Sequence, residues 1–183
     1  RVLNILNGKE VDRIPVDLWY TPEVGQSLRD HFGVKEDMEF YRKTCLDKIV
    51  WINADYPIPI DRSVWGTSMK KVDTGRAVYY EYDRPGLAAY NDIELLEDYP
   101  FWPQADRYDY SSMLKQSQLA SANYATLGPW ISFYEIYCSL RGLEQSMMDL
   151  VLAPKYVQKV LDKIEECQVQ MLRRFLSEAQ GHV

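Results

Sequence analysis

Residues 47–53 constrain the fold more than any other stretch, because Ile49, Val50, Trp51 and Ile52 follow one another with no polar residue between them. A strand with one wet face alternates apolar and polar side chains; a strand covered on both faces does not, and such strands belong to parallel sheets flanked by helices. The flanking sequence agrees. Thr21-Pro22-Glu23 reads as a helix start, with Thr as cap and Pro at the first helical position, and that helix ends at Phe32-Gly33. A further helix is predicted from Asp37 to Leu46, directly before the apolar run.

Two more core strands are expected, at Pro15–Leu18, with Pro at the opening, and at Asn123–Leu127. Val2, Leu3, Ile5 and Leu6 pattern as a short helix ended by Gly8. Ser68–Val72 and Arg76–Tyr82 read as a hairpin around Asp73-Thr74-Gly75. Asn91-Asp92-Ile93-Glu94 is a capping pattern for a brief helix, and Asp109–Leu119 is predicted as another. The last stretch is helical: Val157, Val160, Leu161, Ile164, Met171, Leu172, Phe175 and Leu176 keep a 3.6-residue period after Pro154. Strands alternating with helices predict an α/β chain with helices outside a parallel sheet. Three core strands are too few to close a barrel of eight.

Charge and cysteine content exclude some partners. The net charge is -6 over 183 residues, which argues against nucleic acid, since phosphate binding needs clustered Lys and Arg. Cys45, Cys138 and Cys167 are odd in number and show no metal spacing, so they read as reduced thiols of a cytoplasmic protein. No signal peptide and no apolar run of membrane-spanning length is present, so no membrane partner is expected. Arg1 opens the chain in place of Met, already in helical pattern. Hydrolase elbows, phosphate loops and dinucleotide fingerprints are missing.

Leu127-Gly128-Pro129-Trp130, Leu140-Arg141-Gly142-Leu143-Glu144, Met147-Met148-Asp149-Leu150 and Ala153-Pro154 follow one another in an order that resembles the middle of the uroporphyrinogen decarboxylase superfamily. Arg1–Gly8 with Asp12-Arg13-Ile14-Pro15-Val16 resembles the family's opening helix and first strand, and Trp65-Gly66, Tyr79–Tyr82 and Asp109-Tyr110-Ser111 resemble a bacterial lineage of it. The resemblance covers nearly the whole chain. It implies a partial (β/α)8 TIM-type barrel, its N-terminal half, with an inserted β-hairpin, residues 1–183 forming part of one barrel domain.

The family includes porphyrinogen decarboxylases and zinc-dependent methyltransferases acting on corrinoid or thiol substrates. Its decarboxylases carry an Arg-Gln-Ala-Gly-Arg run after the first strand; here Trp19–Gly25 contains no arginine. The methyltransferase branch is therefore the expected one, with zinc and a corrinoid implied and their ligands outside this chain. The alternatives are a non-catalytic half-barrel that binds another chain and, third, a decarboxylase of a porphyrinogen-like substrate. Expected partners are a small-molecule substrate and either a C-terminal half or a second copy.

Barrel sites lie at the C-terminal ends of strands. Asp55 follows the apolar run and is the candidate catalytic carboxylate, as acid, base or ligand for an N–H group; the resemblance places the family's functional aspartate here, offset by one. The plainer alternative is a turn-capping Asp before Pro57. Trp19 and Tyr20 end the first strand as aromatic walls for a flat or one-carbon-carrying cofactor. Gly128-Pro129-Trp130 is read as ending the third strand and opening a helix, with Trp130 and Tyr134 as further substrate-binding candidates. Arg141 reads as closing a helix junction by bonding carbonyls, and His31 as a helix-end residue.

Overall fold

A computed structural model describes residues 1–183. Helices α1 (Val2–Leu6), α2 (Pro22–Phe32) and α3 (Asp37–Lys43) precede strand β1 (Ile49–Trp51). The hairpin is β2 (Met69–Asp73) and β3 (Val78–Tyr82). Two 3-10 turns, Ile93–Asp98 and Ala105–Arg107, lead to α4 (Met113–Ser121) and β4 (Ala125–Leu127). Helices α5 (Tyr134–Arg141), α6 (Leu143–Leu152) and α7 (Pro154–Ala179) complete the chain. This is a mixed α/β architecture with two small sheets, neither of them closed. No helix is long and apolar enough to cross a membrane.

The chain divides into two compact units. The first contains residues 1–53, 111–129 and 176–183. Here β1 and β4 pair in parallel, Ile49 with Ala125 and Trp51 with Leu127, as expected, but the β1 residues are half-buried and not covered on both faces. Thr21 caps α2 through the Val24 N–H, and Gly33 ends it at φ 63, a left-handed conformation that glycine adopts without Cβ strain. Val34, Phe40 and Tyr41 form one buried cluster here, with Tyr20, Phe32 and Tyr124 packed on it, and Ile52, Met113, Ala120 and Ala179 are buried as well.

Residues 15–18 differ from expectation: they form no ladder. The Asp47 N–H donates to Val16 O at 2.8 Å, and Trp19 meets Trp51 edge-on at 5.8 Å, so the segment runs beside β1 in the same direction. Pro15 has no N–H to give. The Val16 N–H goes instead to the Asp47 carboxylate at 3.1 Å. Arg1 and Arg13 also hold that carboxylate. Burial opposes ionisation of Asp47, but the Val16 N–H and both guanidinium groups outweigh it and hold the carboxyl below its usual range.

The second unit contains residues 54–110 and 130–175. Its core joins Leu87, Leu96, Tyr99, Tyr137 and Leu140 to Tyr156, Val157, Val160 and Ile164 of α7. The hairpin pairs Met69 with Tyr82 and Asp73 with Val78. Ile93–Asp98 is a 3-10 turn that no side chain caps, contrary to the capping pattern; the Trp102 indole N–H donates to Leu96 O at its end. The helix expected from Asp109 begins only at Met113, because Asp109 spends its N–H and C=O on Asp55.

Candidate functional site

Asp55 is exposed and lies in the second unit. Its N–H donates to Asp109 O at 3.1 Å and its C=O accepts from the Asp109 N–H at 2.7 Å. A pair that exchanges both bonds sets its two side chains on one face, so two carboxylates stand side by side. The Tyr56 and Tyr108 rings meet at 4.6 Å, with the Arg107 guanidinium 5.3 Å from the Tyr56 ring centre. Burial pushes the Tyr108 phenol well above its ordinary range, so it remains a donor at neutral pH.

Trp19 and Tyr20, adjacent in sequence, face different surroundings in the first unit. The Trp19 ring is exposed; its indole N–H donates to Asp17 at 3.0 Å. Lys48 Nζ lies 5.3 Å from its ring centre and pairs with Asp17 at 2.8 Å. Tyr20 turns inward and packs on Phe40, its hydroxyl donating to Tyr41 at 3.3 Å. A Cβ at Gly25 would lie 2.7 Å from the Tyr20 ring, so the ring rests directly on α2. Trp19 offers a surface; Tyr20 is packing.

Trp130 and Tyr134 both lie in the second unit, at and just before the start of α5. No helix opens at Gly128-Pro129-Trp130; α5 begins at Tyr134. Glu135 sits in its first turn, where a negative charge suits the helix dipole, and accepts the Trp130 indole N–H at 3.0 Å. The Tyr134 ring lies nearly parallel to that of Tyr137, 6.4 Å between centres. Glu135, Cys138 and Ser139, at helical spacing, line a cavity of about 360 Å³ with Tyr82, Asp83, Pro85, Gly142 and Leu143. Burial, then the nearby Glu135 charge, raises the Tyr82 phenol above its ordinary pKa, while a bond to Ser139 opposes the rise. Sequence reasoning named Trp130 and Tyr134 but missed Glu135, Cys138 and Tyr82 as partners. The spacing 135/138/139 was available as a signal; the approach of a hairpin tyrosine to that face was not.

Arg141 is structural. Buried at the end of α5, it donates to Asp149 at 2.9 Å and to Leu87 O at 3.1 Å, and stacks over Tyr156. Asp149 also accepts from Tyr137 at 2.6 Å and Gln145 at 2.7 Å. Burial opposes its ionisation, yet these three donors hold its pKa below the usual range. His31 packs edge-on against Phe32, and His182 Nδ1 meets Ser121 Oγ at 3.2 Å. A second cavity, about 660 Å³, is lined by Arg13, Asp47, Lys48, Asn123 and Tyr124. These residues precede or open β1 and β4, at the end of a parallel sheet opposite to the one that carries barrel chemistry. No three His, Cys, Asp or Glu side chains converge as metal ligands.

Comparisons of the chain with protein-family models, with curated proteins and with solved structures return no match.

Proposed function

We propose that this sequence is the N-terminal part of a uroporphyrinogen-decarboxylase-like barrel of the methyltransferase branch, acting in the cytoplasm on a small-molecule substrate. The observation that carries the reading is the parallel pairing of β1 with β4, with residues 14–19 running alongside β1 in the same direction. Three successive segments in parallel order, joined by helices and an excursion hairpin, are what the first strands of a barrel need.

Within the first unit, Trp19 offers an exposed aromatic face just after the segment that runs beside β1, with Lys48 and Asp17 fixing its edge. Within the second unit, and independently of Trp19, Asp55 bridged to Asp109 supplies a carboxylate able to take or hold a proton or to orient an N–H group. This chain's side chains do not make a zinc site. A zinc ion in such a barrel would take its ligands from residues other than 1–183. The missing arginines in Trp19–Gly25 weigh against a porphyrinogen decarboxylase.

The test is transfer of a methyl group from methylcobalamin to a thiol by a protein containing this chain and the remaining strands, followed by loss of the methyl–cobalt absorbance. Activity that falls at least about a hundredfold in Asp55→Ala, within the range of an acid–base group, with an unchanged melting temperature, supports the reading. Full activity in that variant, or none in the parent, overturns it. The non-catalytic half-barrel gains one specific observation: α6 turns an apolar face outward, with Leu143, Met147 and Val151 exposed at 65%, 61% and 79%.

A further inference from the structure

We propose that the cavity bounded by Tyr82, Glu135 and Leu143 binds a compact organic ammonium ion of the choline type. The inference is independent of the barrel reading and stands on what surrounds one carboxylate. Glu135 accepts a single neutral donor, the Trp130 indole N–H, and has no cationic partner. The second acidic group at the cavity is Asp83, whose only cation is the largely exposed Arg84 at 3.8 Å. None of the lining residues is basic.

Beside this negative charge one exposed ring lines the cavity, and two more exposed rings neighbour Glu135 in the chain. Tyr82 is 51% exposed, Trp130 65% and Tyr134 42%. Tyr82 lines the cavity itself; Trp130 is tied by its indole N–H to Glu135, which lines it, and Tyr134 stands next to Glu135 at the start of α5. Aromatic faces carry a negative quadrupole, so the Tyr82 ring beside a carboxylate without a cationic partner adds to its field and repels an anion. A cation is the one ligand charge that satisfies both, by ion pairing and by cation–π attraction. Pro85 and Leu143 add apolar wall, which a bare metal ion would not use and alkyl groups on nitrogen would. The volume of about 360 Å³ falls at the small end of small-molecule sites.

Choline and its neutral carbon isostere 3,3-dimethylbutan-1-ol share shape and differ in charge. Titration calorimetry of the full chain with each should show saturable choline binding, with the isostere weaker by about tenfold or more, the order of a cation–π contact combined with an ion pair. Glu135→Gln should weaken choline by a similar factor, as should Tyr82→Leu. Glu144→Gln, outside this cavity, should leave it unchanged. Glu135 is exposed, so its variant is expected to fold; circular dichroism verifies this, and the isostere comparison needs no variant. Equal binding of the two probes, no saturable choline binding, or full affinity in folded Glu135→Gln would each overturn the proposal.

Discussion

At Asp149 three donors converge on one carboxylate that is 2% exposed. Removing one partner of such a pair leaves an uncompensated charge, so Asp149→Ala should cost about 3–5 kcal/mol, read from urea unfolding. The same residue sets a pH dependence. Its folded pKa lies below the ordinary value, so the unfolded chain binds the proton more tightly. The stabilisation is therefore complete above the unfolded value of about 3.9 and is lost as pH falls through the lower folded value. Thermal melts should show stability falling in that window, with a weaker fall in Asp149→Asn. Gly66 is constrained differently. Its φ is +85, and an added Cβ would lie 2.3 Å from the Tyr99 hydroxyl, which donates to Trp65 O. Gly66→Ala should destabilise by more than the roughly 1 kcal/mol usual for a point substitution, and far more than Gly75→Ala, where the Cβ meets nothing.

Among the elements, α7 and α6 present opposite cases. The apolar stripe of α7 would lack cover if its sheet were only partly present, yet Val157, Val160, Ile164, Met171 and Phe175 are all buried. The first three pack on Leu87, Leu96, Tyr99 and Tyr137, residues of the segments between the hairpin and α5 and of α5 itself. Ile164→Ala should therefore cost about 2–5 kcal/mol, whereas Leu176→Ala, on an exposed position, should stay within about 0.5 kcal/mol; chemical denaturation distinguishes them. Helix α6 buries its polar side instead. Ser146 bonds Gly142 O and Asp149 holds Arg141, so rolling the helix over would break a buried ionic network. Leu143, Met147, Leu150 and Val151 are thereby held outward.

For the molecule as a whole, each unit by itself exposes aliphatic groups, the second on the outward face of α6 and the first at Ile14, Val16 and Leu18. Apolar patches beyond a few hundred Å² mark contact surfaces. Light scattering should find the isolated chain dimeric or larger at tens of micromolar, and Val151→Lys should raise the monomer fraction without lowering the melting temperature. A monomer at all concentrations would count against association through these faces and with it against the half-barrel reading.

Local chemistry made much of the fold legible. Thr21-Pro22 and Gly33 bounded α2, the unbroken apolar run announced a parallel pair, Asp73–Gly75 marked the hairpin turn, and the 3.6-residue stripe announced α7. These signals act within a turn or a strand, so neighbouring residues suffice. What tertiary structure decided involves partners far apart in the chain. Asp47 takes the N–H that would have made Val16 part of a ladder; Asp55 draws Asp109 out of a helix; Asp149, claimed by Arg141 and Tyr137, turns α6 inside out; and Tyr82 completes a cavity begun by Glu135. In each case a buried or bridging polar group must find its hydrogen-bond partner wherever the packed chain offers one, and no local periodicity records that choice.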